Sequence, residues 1–438
     1  MHRFNLDPAR FDGFISRHIK YSILIVIRKL RGNCVIRGMN ELAVMEVDLP
    51  LHPIQYFDSH CHLQLDAIYS QRHRVISTAK DRGVHRFATC ATCPGEDWGR
   101  IEYLSSEYSH CVHASYGLHP LWINDYINSR VASQIKLTSK KISCCRNDKS
   151  LTVIPDNCVK LNDPVSICSE CQVSLPPSSS ELNLTPEEIP SASEKFNELS
   201  RSDDSYITHL VLNEISRDLT SILTNYPNAG VGEFGIDKRL MPGKKSSRYS
   251  AVPLNRQIAI FEAHLAIAID LQRPATIHCV GCWGTLFDSV SEVIKKHCSI
   301  LKVCPPIILH SCNTISIDVA KRFAKLENIY FSFCGSHLTD KILDILRIIP
   351  PKRLLIESDS PDQMISTQQI HQIIESTQLA PIREYCSHLL AQSYSNNEPS
   401  LLPLLCEYLA QKLGISHSEL AHLTETNSSP IFAFPKHG

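Results

Sequence analysis

The sequence has no hydrophobic run long enough to cross a membrane. The longest apolar run near its start, YSILIVI at residues 21–27, is flanked by Lys and Arg. A spanning helix needs roughly 20 apolar residues, so a membrane protein is not expected. Residues 1–40 are basic, which is typical of a mitochondrial presequence but also of an upstream extension without a structural role. We expect residues 1–52 to be a poorly structured amino-terminal extension.

The sequence also lacks an excess of charge of either sign. Lys and Arg together number 44 and Asp and Glu 45, so the formal net charge is −1. No global attraction draws the chain toward nucleic acid, and any binding of a polyanion must depend on a local surface.

The cysteines lack the context of a disulfide framework. Eighteen of them are scattered along the chain, and no secretory leader precedes them. Reduced thiols in an intracellular compartment, the cytoplasm or the nucleus, are therefore the expectation.

Eight short apolar runs alternate with stretches of helical spacing. Between two of them, Ile258, Phe261, Leu265 and Ile269 recur at intervals of three and four residues. Buried, non-alternating strands separated by helices indicate a parallel sheet, and eight such units favour a closed barrel. The sequence therefore predicts an α/β fold, a (β/α)₈ TIM-type barrel. The strand runs begin near residues 54, 84, 111, 229, 274, 306, 328 and 353.

One connection breaks this alternation. Residues 125–205, after the third predicted strand, are rich in Ser, Pro and charge and contain several cysteines. Such a composition buries little apolar surface, so we expect a long, largely disordered insertion. It divides the barrel into 53–124, with strands one to three, and 206–438, with the remaining strands and the carboxyl-terminal helices. The insertion could cover the active groove or bind a protein partner.

Metal-ligand side chains follow five of the predicted strands. The stretch FDSHCHL places His60 and His62 two residues apart, where an extended strand directs both to one face, together with Asp58. Each candidate alone has an ordinary structural explanation, such as a helix cap for Glu233 or Asp359 and a core histidine for His278. Capping does not require five strands to carry such residues at one height. The candidate ligands are His60, His62, Glu233, His278, His310 and Asp359.

Six ligands are too many for one tetrahedral zinc ion. They suit two divalent ions, with the carboxylate of Glu233 bridging them. Four imidazoles make the site softer than an all-oxygen cage, so Mn²⁺ or Zn²⁺ should bind at least as well as Mg²⁺. The predicted reaction class is metal-assisted hydrolysis.

The motifs around these residues resemble the TatD family of metal-dependent deoxyribonucleases, in the amidohydrolase superfamily of barrels. The resemblance covers about residues 56–435 without the insertion, and it implies 3′-to-5′ exonuclease or endonuclease activity with Mg²⁺ or a related ion. It further implies that Glu233 and Asp359 are catalytic, with Asp359 orienting or deprotonating the attacking water. By the resemblance, one ion is held by His60, His62, Glu233 and Asp359 and the other by Glu233, His278 and His310. The motifs are FDSHCHL, GLHP at 117, GEFGID at 232, IHCVG at 277, ILHSC at 308, IESDSPD at 356 and the segment from 397.

Two groups of residues are candidates for substrate contact. His119 matches the His-Pro pair of the family, although a structural cap is an equal alternative. The loop after the fourth barrel strand is basic, and it could follow a nucleic-acid backbone or simply be solvated. Family members often carry an arginine soon after the fifth-strand histidine, where Gly281 and Cys282 stand here. The predicted loop contacts are Lys244, Lys245 and Arg248, with Lys238 and Arg239 beside them.

Three functions are compatible with these features. The first is hydrolysis of DNA phosphodiesters by a monomeric enzyme. The second is hydrolysis of small-molecule amides at the same pair of metal ions, because a fold does not fix the substrate. The third is a non-catalytic scaffold that binds partners through the insertion, against which the complete ligand set argues.

Overall fold

The computed structural model describes residues 54–131, 166–168, 173–175, 192–242, 251–299, 302–339, 341–391, 396–432 and 434. For residues 131, 166–168, 173–175 and 192–206 only the backbone is described. All of these belong to one compact unit, Pro53–Gly438. No helix within them is both long and apolar enough to cross a bilayer.

Eight parallel strands form the predicted barrel, in the order β1-β2-β3-β6-β7-β8-β9-β10. The TIM-type fold expected from the sequence is thus confirmed. A separate antiparallel pair, β4 and β5, lies between β3 and β6 along the chain. The ten strands are β1 Tyr56–Cys61, β2 Val84–Cys90, β3 Val112–Tyr116, β4 Ser166–Cys168, β5 Val173–Leu175, β6 Gly230–Asp237, β7 Ala275–Val280, β8 Ile307–Leu309, β9 Ile329–Phe333 and β10 Leu354–Ile356.

Hydrogen bonds between the first and last strands bring the two edges of the sheet together. The carboxylate of Asp58 accepts from the backbone N–H of Ser358 at 2.8 Å, and Asp359 N–H donates to the carbonyl of His60 at 3.0 Å. Asp58 therefore joins β1 to the segment after β10. Strict alternation had predicted that Asp58 would share the face of the histidines, and this prediction was wrong. The β1 register shifts between Asp58 and Cys61, which breaks the period of two.

Helices cover the outside of the barrel because their apolar faces pack against the strands. The helical spacing of Ile258, Phe261, Leu265 and Ile269 is confirmed by a helix over Leu254–Asp270, in which the last three of these side chains are buried. The α-helices are α1 Asp66–Tyr69, α2 Arg72–Asp81, α3 Trp98–Glu107, α4 Ile123–Tyr126, α5 Ala192–Asn225, α6 Leu254–Asp270, α7 Trp283–His297, α8 Ile317–Phe323, α9 Ile342–Ile348, α10 Thr367–Ser376, α11 Ala380–Ala391, α12 Leu402–Leu413 and α13 His417–Ser428.

An apolar layer fills the barrel interior below the active rim. Phe57, Ile308 and Leu355 from three strands pack there with Phe432, which follows α13. The rings of Phe57 and Phe432 stack with centroids 5.0 Å apart. This layer closes the interior, so the open space lies at the carboxyl ends of the strands.

The predicted insertion lies after β3, as expected, but structured elements enter its range from both sides. Tyr126 in α4 is fully buried, and its hydroxyl donates to Asp218 at 3.1 Å. At the other side α5 begins at Ala192, before the predicted boundary at 205. Residues 132–165, 169–172 and 176–191, like residues 1–53, lie outside the described part of the chain.

Candidate metal centre

The six predicted ligands meet at the carboxyl rim of the barrel. Parallel strands bring their carboxyl ends to one face, and each of these residues lies within a barrel strand or just beyond its end. Glu233 and His278 lie within β6 and β7, and His62, His310 and Asp359 follow β1, β8 and β10. All six are buried.

Glu233 lies at the centre of this group, and its two oxygens face different histidines. Its Oε2 is 3.1 Å from His62 Nε2 and 3.5 Å from His60 Nε2. Its Oε1 is 2.8 Å from both His278 Nδ1 and His310 Nε2. One carboxylate therefore separates two sets of imidazoles.

Asp359 completes the first of these sets. Its Oδ1 lies 3.4 Å from His60 Nε2 and 3.6 Å from His62 Nε2, while its Oδ2 accepts from the hydroxyl of Ser311 at 3.1 Å. Asp359 has a φ of 52°, a left-handed conformation that Asp and Asn tolerate better than other side chains. The bend after β10 thus turns this carboxylate toward the histidines of β1.

His119 has the capping role, one of the two that the sequence left open, and its ring also faces the centre. Its Nδ1 accepts from the backbone N–H of Leu121 at 3.1 Å and so caps a short 3₁₀ turn. Its Nε2 lies 3.5 Å from Oε1 of Glu233. The cap holds the ring in place, and the other nitrogen faces the centre.

The pKa values of these groups record a strong mutual attraction. Burial alone would raise the pKa of Glu233, but the imidazoles of His310 and His119 hold it well below its usual range. Burial alone would lower the pKa of His310, but Glu233 raises it to about 10. For Asp359, the hydrogen bond to His60 outweighs burial and lowers the pKa. Buried anionic carboxylates of this kind require nearby positive charge.

Outer contacts hold the histidines in place. His62 Nδ1–H donates to the carbonyl of Cys90 at 2.8 Å, which directs the lone pair of Nε2 to the centre. Asp237 Oδ2 is 3.6 Å from His278 Nε2, and Glu357 Oε1 is 3.5 Å from His310 Nδ1. Sequence reasoning missed Asp237 and Glu357, although each lies in a motif already singled out, GEFGID and IESDSPD.

The donor set fits divalent cations. His, Glu and Asp atoms lie within 4.8 Å of one another in several groups of three. Nε2 atoms of His60 and His62 approach to 3.2 Å, and so do His278 Nδ1 and His310 Nε2. Imidazole nitrogens that face each other around a carboxylate suit Mn²⁺ or Zn²⁺. The groups are His60, His62, Asp359; His60, Glu233, His310; His119, Glu233, His278; and His310, Glu357, Asp359.

A cleft of about 610 Å³ opens above the centre. Among the described residues, six non-glycine positions have positive φ, and four of them line this cleft: Ser311, His337, Asp359 and Gln363. Unfavourable backbone conformations cluster where the surrounding structure holds functional groups. The strain thus marks the same face of the barrel as the ligands.

The predicted substrate contacts in the basic loop are only partly described. Lys244, Lys245 and Arg248 lie outside the described residues. Arg239, from the start of the same loop, lines the cleft and pairs with Asp237.

A (β/α)₈ barrel with these ligands at its carboxyl rim defines the class of metal-dependent barrel hydrolases. The family model described as "TatD related DNase" matches residues 57–433. The chain belongs to this family and is a hydrolase of the TatD type.

Curated relatives match the chain at low identity. Cut9-interacting protein scn1 of Schizosaccharomyces pombe is 25% identical over 357 residues, 73% of this chain and 90% of that protein. The 3′-5′ ssDNA/RNA exonuclease TatD of a Rahnella species is 27% identical over 217 residues, 47% of this chain and 66% of that protein.

Solved structures share the fold. The TatD homologue YJJV of Escherichia coli aligns with a TM-score of 0.52 at 15% identity, over 87% of this chain and 99% of that one. An uncharacterized amidohydrolase of Saccharomyces cerevisiae aligns with a TM-score of 0.55 at 16% identity, over 87% of this chain and 100% of that one.

Proposed function

We propose that the protein hydrolyses DNA phosphodiesters with the aid of two divalent cations. The observation that carries the proposal is the position of Glu233, whose two oxygens face two separate sets of imidazoles. His60, His62, Glu233 and Asp359 would hold one cation, and Glu233, His278 and His310 the other. When bound, two such cations lower the pKa of water and stabilise the charge on the attacking and leaving oxygens.

The chain's own groups would position the reaction. The low pKa of Asp359 keeps its carboxylate ionised, so it can accept the proton of the attacking water. Ser311 fixes that carboxylate by a hydrogen bond to Oδ2. Burial lowers the pKa of His119 to about 4, so its ring stays neutral near pH 7 and is suited to orient the substrate.

A nucleic-acid substrate is supported by the names of the family and of the Rahnella relative. We take 3′-to-5′ exonuclease or endonuclease action on DNA as the first choice, with Mg²⁺, Mn²⁺ or Zn²⁺. Binding of a protein partner through residues 125–205, a monomeric state, an intracellular location and mitochondrial targeting stay predictions.

The test is cleavage of end-labelled single-stranded DNA by purified, metal-loaded protein, beside a panel of amides. We expect cleavage of DNA that chelation abolishes and added Mn²⁺ restores. Glu233→Gln should remove this activity, because the neutral side chain cannot bridge two cations. Glu407→Gln, a buried carboxylate at the opposite end of the barrel, is the matched control and should stay active. Hydrolysis of amides without cleavage of DNA would contradict the proposal.

A further inference from the structure

Arg239 is the one Lys or Arg among the described residues that line the cleft. Its side chain is 61% exposed, so a ligand in the cleft can reach it. The overall charge of the protein is close to neutral, so attraction of an anion to this site depends on local groups of this kind.

Asp237 holds the guanidinium in a fixed orientation. The carboxylate is fully buried, and its Oδ2 accepts from Arg239 Nε at 3.0 Å and from Nη2 at 2.6 Å. Its Oδ1 also accepts from the backbone N–H of Arg239 at 2.8 Å. A two-point contact of this geometry immobilises a planar guanidinium, which therefore loses little entropy when it binds an anion.

The same carboxylate connects Arg239 to the metal centre. Oδ2 of Asp237 lies 3.6 Å from His278 Nε2, and the other ring nitrogen of His278 is 2.8 Å from Glu233 Oε1. A series of contacts thus leads from the cleft wall to the ligands. It runs from the guanidinium of Arg239 through the carboxylate of Asp237 and the imidazole of His278 to the carboxylate of Glu233. Arg239 and the ligands Glu233 and His278 line the same cleft.

The loops after β6 and β7 pack against each other, and Arg239 lies in the first of them. Asp237 pairs with Val280, and a Cβ atom added at Gly281 would meet Lys238 Cβ at 3.4 Å. The chain after His278 carries no cation of its own at Gly281 or Cys282. The loop from β6 supplies the positive charge at this position.

We propose that Arg239 binds a non-bridging oxygen of the substrate phosphate and sets the preference for an anionic ester over a neutral amide. This inference rests on the proposed function, since it names the residue that recognises the charge of the phosphodiester. If Arg239 only neutralised buried Asp237, its removal would lower the thermal midpoint and leave the preference for a charged phosphate unchanged.

The test is a double-substitution cycle between Arg239 and the charge of the phosphate. Affinity is measured in the Asp359→Asn background, where the substrate is not consumed, with two oligonucleotides that differ by one neutral methylphosphonate linkage at the cleavage position. We expect the penalty for the neutral linkage to be roughly tenfold smaller in Arg239→Gln than with Arg239 present, the size of a charge-assisted hydrogen bond. The salt dependence of binding should also fall by about one counterion.

Lys321→Gln is the matched control, because it removes the same charge at an exposed position on α8 that does not line the cleft. It should leave the methylphosphonate penalty unchanged. Equal penalties with and without Arg239, accompanied by a lower thermal midpoint of Arg239→Gln, would overturn the inference and leave the proposed function standing. If unsubstituted protein neither binds nor cleaves DNA, the proposed function fails and the inference fails with it.

Discussion

Two buried polar clusters lie at opposite ends of the barrel, and they differ in how completely their polar atoms are hydrogen-bonded within the protein. At the amino end, the Tyr56 hydroxyl pairs with His417 Nε2, and His417 Nδ1–H donates to Glu407 Oε2 at 2.9 Å. Both ring nitrogens of His417 thus have a partner. The cluster joins the start of β1 to α12 and α13.

At the carboxyl end the imidazoles crowd around a carboxylate and around one another. His60 Nε2 and His62 Nε2 are 3.2 Å apart, and His60 Nδ1 makes no hydrogen bond within the described residues. His278 Nε2 likewise has none there. Buried ring nitrogens of this cluster are thus left without a hydrogen bond within the described residues.

The difference separates a structural cluster from a functional one. Buried polar groups are normally paired, because an unpaired group loses its hydration without compensation. The amino-end cluster obeys this rule and braces the fold. Under the proposed function, divalent cations would supply the positive charge that completes the carboxyl-end cluster.

Removing one carboxylate charge from the carboxyl-end cluster should have the largest effect. We expect Asp359→Asn to lower the rate of DNA hydrolysis by about a hundredfold to ten-thousandfold, the range for loss of a general base. The amide keeps the shape, and Asn accepts the positive φ of this position, so the thermal midpoint should change little. The measurement is single-turnover cleavage at saturating Mn²⁺. Near-normal cleavage would reduce Asp359 to a structural residue.

The outer carboxylate Glu357 tests how far the functional cluster extends. It is fully buried, accepts from Ser311 N–H at 2.6 Å and lies beside His310. We expect Glu357→Gln to weaken metal binding by about 10- to 100-fold, as loss of an outer-shell partner does. Calorimetric titration of the chelated protein with Mn²⁺ measures this. Unchanged affinity would confine the functional cluster to the six ligands and His119.

The sequence predicted the barrel and the convergence of the ligands because both follow from local patterns. The apolar runs near 54, 84 and 353 begin within two residues of β1, β2 and β10. Buried parallel strands leave such continuous runs, and parallel topology then places the residues after them on one rim. No distance between strands was needed for this step.

The remaining features depend on distances that no local pattern contains. The contact of Glu357 with Ser311 joins the ends of β10 and β8, which are separated in the sheet by β9. The pairing of Tyr56 with His417 spans 361 residues of sequence. Asp58 does not share the face of the histidines, because the register of β1 shifts there. Spacing rules assume a regular strand, so they fail where a strand is irregular.

Breaking the amino-end cluster should affect stability and not activity. Tyr56→Phe removes the hydroxyl and leaves His417 Nε2 buried without that partner. We expect the free energy of unfolding to fall by about 1–3 kcal/mol, the cost of an unsatisfied buried group. Chemical denaturation measures this change, and cleavage per folded molecule should equal that of the unsubstituted protein. A loss of activity at equal folded fraction would show that the two ends are coupled.

The smallest expected effect is the pH dependence that Glu407 contributes to stability. Burial alone would raise the pKa of Glu407, but the hydrogen bond from His417 holds it below its usual value. A carboxyl group whose pKa is lowered by folding stabilises the protein above the pKa of the unfolded chain, about 4.3 for Glu. This contribution is lost as the pH falls through the folded-state pKa.

The thermal midpoint of Glu407→Gln should therefore lie below that of the unsubstituted protein at pH 7, with the gap narrowing as the pH drops below about 4. Glu384→Gln, the same charge change at an exposed position, corrects for the change in net charge. A gap of constant size across this range would mean that Glu407 acts through packing and hydrogen bonding alone, and that the amino-end cluster carries no functional or stabilising charge.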